Sequence, residues 1–373
     1  QGHPWVAFLV KEPMKRSVQY HNHAGTSWPK PDAVLQAAER ATMALPAEWG
    51  RLFEDAHRGV ARAFGVGPER MLITPSCTQA LAVAIADLPW EGGDRILSSQ
   101  MEHHALVRPL AKLQGVETLH LPRGQAGPID LNQVEEQLKS GGVRLVAMSM
   151  ASNVSGELLP WKALVELSHE YGALCLLDGA QVAGWHPLDL LELGVDLFAF
   201  AGHKGPQGPS GAGGLYLREG LVMDTPGARC GLDSCDDGPS YCDTGSVNLP
   251  ALCGLAAGLA WMAREQPLEG VLAALSALRD GLTQIPGVRV LGAAPGVPTC
   301  SVVLQGMTAA EASAKLRSAG VVASGGIQCA PMAHEALGTD PNGTLRLSLG
   351  PKQGTAEAQA LLSAVQGLAG QSA

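Results

Sequence analysis

A chain of 373 residues can bury a large core and is expected to form two lobes. Its composition, 46 % hydrophobic and 16 % charged, is that of a soluble globular protein. A net charge of −9 with no Lys/Arg cluster argues against nucleic acid or an anionic membrane surface as partner.

The opening QGHPWVAFLVKEP has neither a basic end nor a small-residue cleavage site, so no signal peptide is expected. From residue 31 to about 217 helical and strand periods alternate. DAVLQAAERATMAL and RLFEDAHRGVARAF have helical spacing, MLIT is a short apolar run, and TQALAVAIADL is helical again. The alternation continues through RILSS, HALVRPLAKL, ETLHLP, LNQVEEQLKS, RLVAMSM, WKALVELSHEY, ALCLLDG, VDLFAF and GAGGLYL. It predicts a mostly parallel sheet with helices on both faces, and ligands gather beyond the carboxyl ends of such strands. Thr74–Thr78, Asn153, Asp178 and His203–Lys204 fall there. The uncharged stretch Val247–Ala263 contains Asn248 and Pro250, and reads as a buried helix rather than a membrane span. After Pro250 the pattern changes to a smaller α+β lobe, with ALCGLAAGLAWMARE and VLAALSALRDGLTQI, then RVLG, CSVVLQG, AAEASAKLRSAG, TLRLSLG and the closing helix TAEAQALLSAVQGLAG.

Eight cysteines without paired short spacings point to a reducing cytoplasm and not to a disulfide framework. Cys230, Cys235 and Cys242 cluster but match no standard zinc set, so no metal site is expected. In AFAGHKGPQGPSGAGG a lone lysine sits among glycines and prolines. A phosphate-binding Walker loop needs Gly-Lys followed by Ser or Thr; here His203 precedes Lys204 and Gly205 follows, so that reading fails. Asp178 ends an apolar strand, where a carboxylate needs either a cation or a helix to cap. A lysine in a dry site can form a Schiff base, although a surface lysine on a loop is the ordinary case. His103, after RILSS, is alone no more than a loop histidine. Together these residues suit pyridoxal phosphate, which needs a lysine for its aldehyde, a carboxylate for its pyridinium nitrogen and a donor-rich turn for its phosphate. TPSCTQAL offers that turn at a helix N-terminus, with Thr78 as hydroxyl donor, and the glycines around Lys204 would let the backbone approach the cofactor.

From about Tyr20 to Leu349 the chain resembles the class V aminotransferase group of fold-type I pyridoxal-phosphate enzymes, within it the cysteine desulfurase/selenocysteine lyase branch. The resemblance is carried by YHNHAGTSWPKP, ITPSCTQAL, MEHHALVRP, SNVSGELLP, DGAQVAGWHPLDL, FAGHKGPQGPSGAGGLY, DTGSVN and GIQCAPMAHEALGT. It implies a large cofactor-binding domain over 26–262 and a small C-terminal domain over 263–373, with segment 14–25 packing beside the latter. It implies that Lys204 holds the cofactor as a Schiff base and moves the Cα proton, with Asp178 on the pyridinium nitrogen and Gln181 on the ring hydroxyl. His103 would stack on the ring and Asn153 line the pocket. Cys77, through its backbone, Thr78 and His203 would hold the phosphate, joined by Ser246 from a partner subunit, which implies a homodimer. Arg346 would grip the substrate carboxylate, and Cys329 would accept sulfur from cysteine as a persulfide, leaving alanine, with a sulfur-acceptor protein as a further partner. A β-eliminating C–S lyase, a selenocysteine lyase, a racemase and a sulfur-relay scaffold remain the alternatives. The chain departs from the family pattern at Ser324, where an arginine is usual, at Ala201 and at His23. The Ser324 departure predicts that Cys329 lacks a neighbouring cation.

Overall fold

The computed structural model describes residues 18–125, 127–221 and 247–370. Strands form where the chain offers short branched or aromatic runs. In chain order they are β1 (Gln19–Tyr20), β2 (Met71–Thr74), β3 (Arg95–Ser99), β4 (Glu117–Leu121), β5 (Val143–Ser149), β6 (Leu174–Asp178), β7 (Leu197–Ala201), β8 (Gly213–Leu217), β9 (Val288–Val290), β10 (Thr299–Leu304), β11 (Val321–Val322), β12 (Ser324–Gly326) and β13 (Thr344–Ser348).

Seven strands build one sheet in the order β2-β8-β7-β6-β5-β3-β4. The pairings are parallel except those of β8, which runs antiparallel to β2 and β7. The exception has a simple cause. Only residues 202–212 separate β7 from β8, too little chain for a helical crossover, so the chain turns back on itself. Both faces of the sheet are covered, which is why its strands read as continuous apolar runs. On β6 and β7, Cys175, Leu177, Phe198 and Phe200 face one core with Phe64 and Leu255. Leu176, Leu197 and Ala199 alternate onto the other face, against Leu81 and Ile85.

A second, antiparallel sheet has the order β12-β13-β10-β9. Its core joins Val302 and Leu347 to Leu275, Leu278 and Leu361 of the helices Leu268–Thr283 and Thr355–Ala369. β1 pairs in parallel with β11, and Asn22 bridges to Ser348, so the opening motif is stitched to this second core. β1, β11 and β12 are two or three residues long, too short to leave a periodicity in the sequence. The apolar stretch expected as a buried helix forms Leu249–Glu265; Asn248 caps it by accepting from Ala251 N, with Pro250 in the first turn. Among the described residues no helix is long and apolar enough to cross a membrane.

The glycines around Lys204 turn out to serve packing of the protein on itself. A Cβ on Gly205 would collide with Ala183 O and come 2.8 Å from the Trp185 ring, and one on Gly208 would come 2.9 Å from Leu255 Cα. The loop therefore lies flat against the helix Leu249–Glu265 and the turn at 183–185. Gly205→Ala is expected to cost about 1–3 kcal/mol, since the obstacle is backbone and cannot swing away. Denaturant unfolding reads this as a lower midpoint; an unchanged midpoint would show that the loop is not packed this way.

Candidate active site

The carboxyl ends of β2, β3, β5, β6 and β7 lie along one edge of the large sheet, and the residues that follow them close around a cavity of about 70 Å³. Cys77, Thr78, His103, Asn153, Asp178, Gln181, His203 and Lys204 all line it, with Ala180 and Ala201 as small, apolar wall. A larger cavity, lined by Lys30, Trp261 and Lys352, contains neither Lys204 nor Asp178.

Asp178 ends β6 with its carboxylate fixed in one orientation. Its Oδ1 accepts from Ala180 N at 2.9 Å and from the Cys77 thiol at 3.3 Å, while Oδ2 carries no hydrogen bond among the described residues. Asp178 thus caps the following turn and still offers an oxygen to the cavity. The Cys77 side-chain contact was not visible in the sequence, where only the Cys77 backbone suggested a role. Burial, with Asp178 next, holds the Cys77 thiol far above its ordinary pKa, so it acts as a donor and not as a nucleophile. Burial pushes the Lys204 amine down; Asp178 and Cys77 pull the other way, Arg346 adds to the lowering, and Cys329 opposes it. Its Nζ makes no hydrogen bond among the described residues.

The helix Cys77–Ala86 starts beside these groups. Ser76 Oγ caps Gln79 N, leaving Cys77 N and Thr78 N as donors without a partner among the described residues, at the positive end of the helix. His103 caps the helix His104–Leu110, its Nδ1 accepting from Ala105 N at 3.0 Å, so the neutral ring carries its proton on Nε2. Burial, then Lys204, lowers the His103 pKa to about 4, and burial and the same lysine do likewise for His203. His203 Nδ1 meets Thr26 Oγ1 at 3.1 Å, and Gln181 Nε2 donates to Ala24 O at 3.1 Å.

Arg346 and Cys329 stand outside the cavity wall but are joined to it. Arg346 is 5 % exposed, and burial lowers its pKa to about 10. Its Nη1 donates to Asn153 O at 2.9 Å and its Nη2 to Asn22 Oδ1 at 3.1 Å, while Nε has no partner. No carboxylate pairs with it among the described residues. Cys329 is exposed, and its carbonyl accepts from His104 N at 2.8 Å. The expectation that Ser324 leaves Cys329 without a cation is corrected here. Ser324 is the cross-strand partner of Arg346, and the guanidinium lies within electrostatic reach of the Cys329 thiol. Ser246, the DTGSVN motif up to Ser246, and Cys230, Cys235 and Cys242 lie outside the described residues.

The model of the class V aminotransferases matches residues 32–361. The chain belongs to the aminotransferase class V family. A probable cysteine desulfurase of Pseudomonas aeruginosa is 33 % identical over 84 % of this chain and 79 % of its own length. A second, of Vibrio cholerae, is 29 % identical over 87 % and 85 %. The apo structure of a cysteine desulfurase from Thermococcus onnurineus NA1 superposes with a TM-score of 0.85 at 25 % identity, covering 95 % of each chain. The α/β architecture with its mostly parallel, helix-flanked sheet is therefore that of the class V group.

The donor set fits the cofactor that the sequence suggests. Among the described residues a free carboxylate oxygen, a desolvated amine without a partner, two orphan amides at a helix N-terminus and a neutral imidazole surround one cavity, matching a cationic ring nitrogen, an aldehyde and a phosphate.

Sequence reasoning missed two site residues. Asn22, one position before the noted His23, holds Arg346. Glu102, beside His103, is wholly buried; it accepts from Ser99 Oγ at 2.5 Å and from Ser149 N and Oγ at 2.8 and 2.6 Å, tying the His103 turn to the ends of β3 and β5. The logic applied to Asp178, a carboxylate just past an apolar strand, would have found it. Burial pushes Glu102 up from 4.5 to about 7 against these hydrogen bonds. A raised folded pKa means that the folded protein holds this proton more tightly than the unfolded chain. The resulting stability is complete below about pH 4.5 and is lost as pH rises through 7. Glu102→Gln is expected to remove that loss, so that wild type declines relative to the variant by on the order of 3 kcal/mol between pH 4.5 and 8. Denaturant titrations across this range test it; parallel curves would contradict it.

Proposed function

We propose that the protein is a pyridoxal-phosphate-dependent cysteine desulfurase, converting L-cysteine to L-alanine with the sulfur passed to Cys329. The observation that carries this reading is that Asp178, Cys77, Thr78, His103 and the buried Lys204 line one cavity, with Arg346 and the loop bearing Cys329 both bonded to Asn153 of its wall. A carboxylate, an anion-binding guanidinium and an exposed thiol thus converge on one desolvated amine, and relatives described as probable cysteine desulfurases support the substrate class.

Lys204 would hold the cofactor and move the substrate Cα proton, Asp178 Oδ2 would face the ring nitrogen, and Gln181 the ring hydroxyl. Cys77 N, Thr78 and His203 would hold the phosphate, with Ser246 reaching it from the partner. His103, neutral and fixed by its cap, would cover the ring, and Asn153 would complete the wall. Once bound, the cofactor supplies an electron sink for charge released at the substrate Cα. Arg346 would orient the substrate through its carboxylate by its unpartnered Nε–H and remaining donors. Cys329 would then take the substrate sulfur, so that cysteine and the thiol become alanine and an enzyme persulfide, with every atom accounted for. The attack itself needs the thiolate form of that thiol.

A homodimer is part of the proposal. Leu35, Met43, Leu45 and Trp49 are 54, 78, 69 and 50 % exposed along one stretch of chain, more apolar surface than an isolated subunit need show. The described cysteines are all unpaired, which supports a reducing cytoplasm. A sulfur-acceptor protein would receive the product from Cys329.

Product analysis decides the reaction. The reconstituted protein is expected to form alanine from cysteine, and Cys329→Ala to lose at least 100-fold in rate while keeping its visible absorbance. Alanine production undiminished in that variant would contradict the reading, and pyruvate as the main product would establish the β-eliminating alternative.

A further inference from the structure

Two successive residues at the proposed nucleophile hold backbone angles that side chains other than glycine avoid. Gln328 has φ +46° and Cys329 φ +57°, both left-handed. Each such residue costs about 1 kcal/mol or more, so the pair persists only where surrounding bonds over-determine it. We infer that Gln328 and His334 form a clamp that fixes Cys329 for sulfur transfer, which makes both of them positioning residues; the inference rests on the reading of Cys329 given above.

The Gln328 amide is saturated. Nε2 donates to Thr344 O at 2.8 Å and to Ser324 O at 3.4 Å, while Oε1 accepts from Thr344 Oγ1 at 3.2 Å and meets His334 Nε2 at 3.0 Å. His334 is fully buried in the short helix Pro331–Ala336, and its Nδ1 meets Thr339 Oγ1 at 2.7 Å. One tautomer satisfies all of these contacts: Nε2–H donates to Gln328, and Nδ1 accepts the Thr339 hydroxyl. Burial lowers the His334 pKa and keeps the ring in this neutral form.

The main chain of the same two residues is tied in the opposite direction. Gln328 O accepts from Asn153 Nδ2 at 2.8 Å and Cys329 O from His104 N at 2.8 Å. The side chain of Gln328 thus anchors the loop to the second sheet, and its carbonyl anchors it to the cavity wall. Asn153 also accepts from Arg346, and Arg346 lies two residues after Thr344 on β13, on the same face of that strand. The group proposed to grip the substrate and the group that holds the thiol loop therefore share one strand and one asparagine. Fixing the distance between them is the use of such a frame, because a misplacement of about 1 Å in an attacking group costs on the order of 100-fold in rate.

Gln328→Ala removes the clamp. Gln328→Asn keeps the side chain most tolerant of left-handed angles after glycine, but its amide is one methylene too short to span Thr344 and His334. In the cofactor-loaded protein both variants are expected to lower kcat for cysteine on the order of 10- to 100-fold, with KM within about twofold of wild type and unchanged visible absorbance. His334→Ala is expected to behave likewise, and the double variant to be no worse than either single one, as for partners in one unit. A wild-type kcat in Gln328→Ala would overturn the inference, and so would its recovery in Gln328→Asn, which would show that backbone preference suffices. Amide hydrogen exchange of residues 327–330 reads the clamp without reference to the reaction. It is expected to quicken at least tenfold in Gln328→Ala, and unchanged exchange would overturn the clamp. Should exchange quicken while Cys329→Ala still produces alanine at the wild-type rate, the functional reading fails and the clamp's role in sulfur transfer falls with it.

Discussion

The site depends on an imbalance of buried charge. Lys204 and Arg346 are both desolvated, and Arg346 makes the charge of Lys204 harder to keep. Among the described residues Asp178 is the carboxylate that acts on Lys204, while Arg346 has no carboxylate partner and donates to the oxygens of Asn153 and Asn22. Glu102 is buried nearby, but its carboxyl, pushed up to about 7, is only partly ionised at physiological pH. Cations left this way cost several kcal/mol unless anions arrive. In the proposed reaction a phosphate dianion and an amino-acid carboxylate would supply that missing charge. The fold would thus carry a standing cost that binding relieves, and selectivity for anions would follow from it.

Much of the chain serves to keep this arrangement still. The opening motif works as a strap between the two cores. Tyr20 sits in β1, paired with β11, while the carbonyl of His203, next to Lys204, receives Ser27 N, Ser27 Oγ, Thr26 Oγ1 and Lys30 Nζ. Asn22 and Ala24 in the same strap hold Arg346 and Gln181. From the other side, the glycine-rich loop lets the lysine-bearing segment press against the helix Leu249–Glu265 without a Cβ between them. Groups held by this many bonds need little rearrangement when a ligand arrives, which is how a preorganised polar site lowers a barrier.

The sequence made the large sheet and most of its site legible because strands buried on both faces announce themselves as apolar runs, and because polar residues just past such runs stand out. Asp178, His103 and Lys204 were found in that way. What it hid has physical causes. β8 runs backwards on account of a short connection, which a pattern of strands does not encode. The strand pairs β1–β11 and β12–β13 involve stretches too short to show a period. The partners of Arg346 and the clamp at Gln328 are contacts between residues far apart in the chain, and no spacing rule reaches them. Ser324 is the instructive case. Position by position it looked like the loss of a cation, whereas in three dimensions the residue opposite it is the cation.

The account turns on the amine of Lys204 being the one that captures the cofactor aldehyde. Borohydride reduction of the protein saturated with pyridoxal phosphate, followed by peptide mapping, tests this directly. One stoichiometric label is expected, on Lys204, lost in Lys204→Ala. The competing amine is Lys30, which burial lowers to about 8. A label on Lys30, or an unlabelled Lys204, would contradict the account.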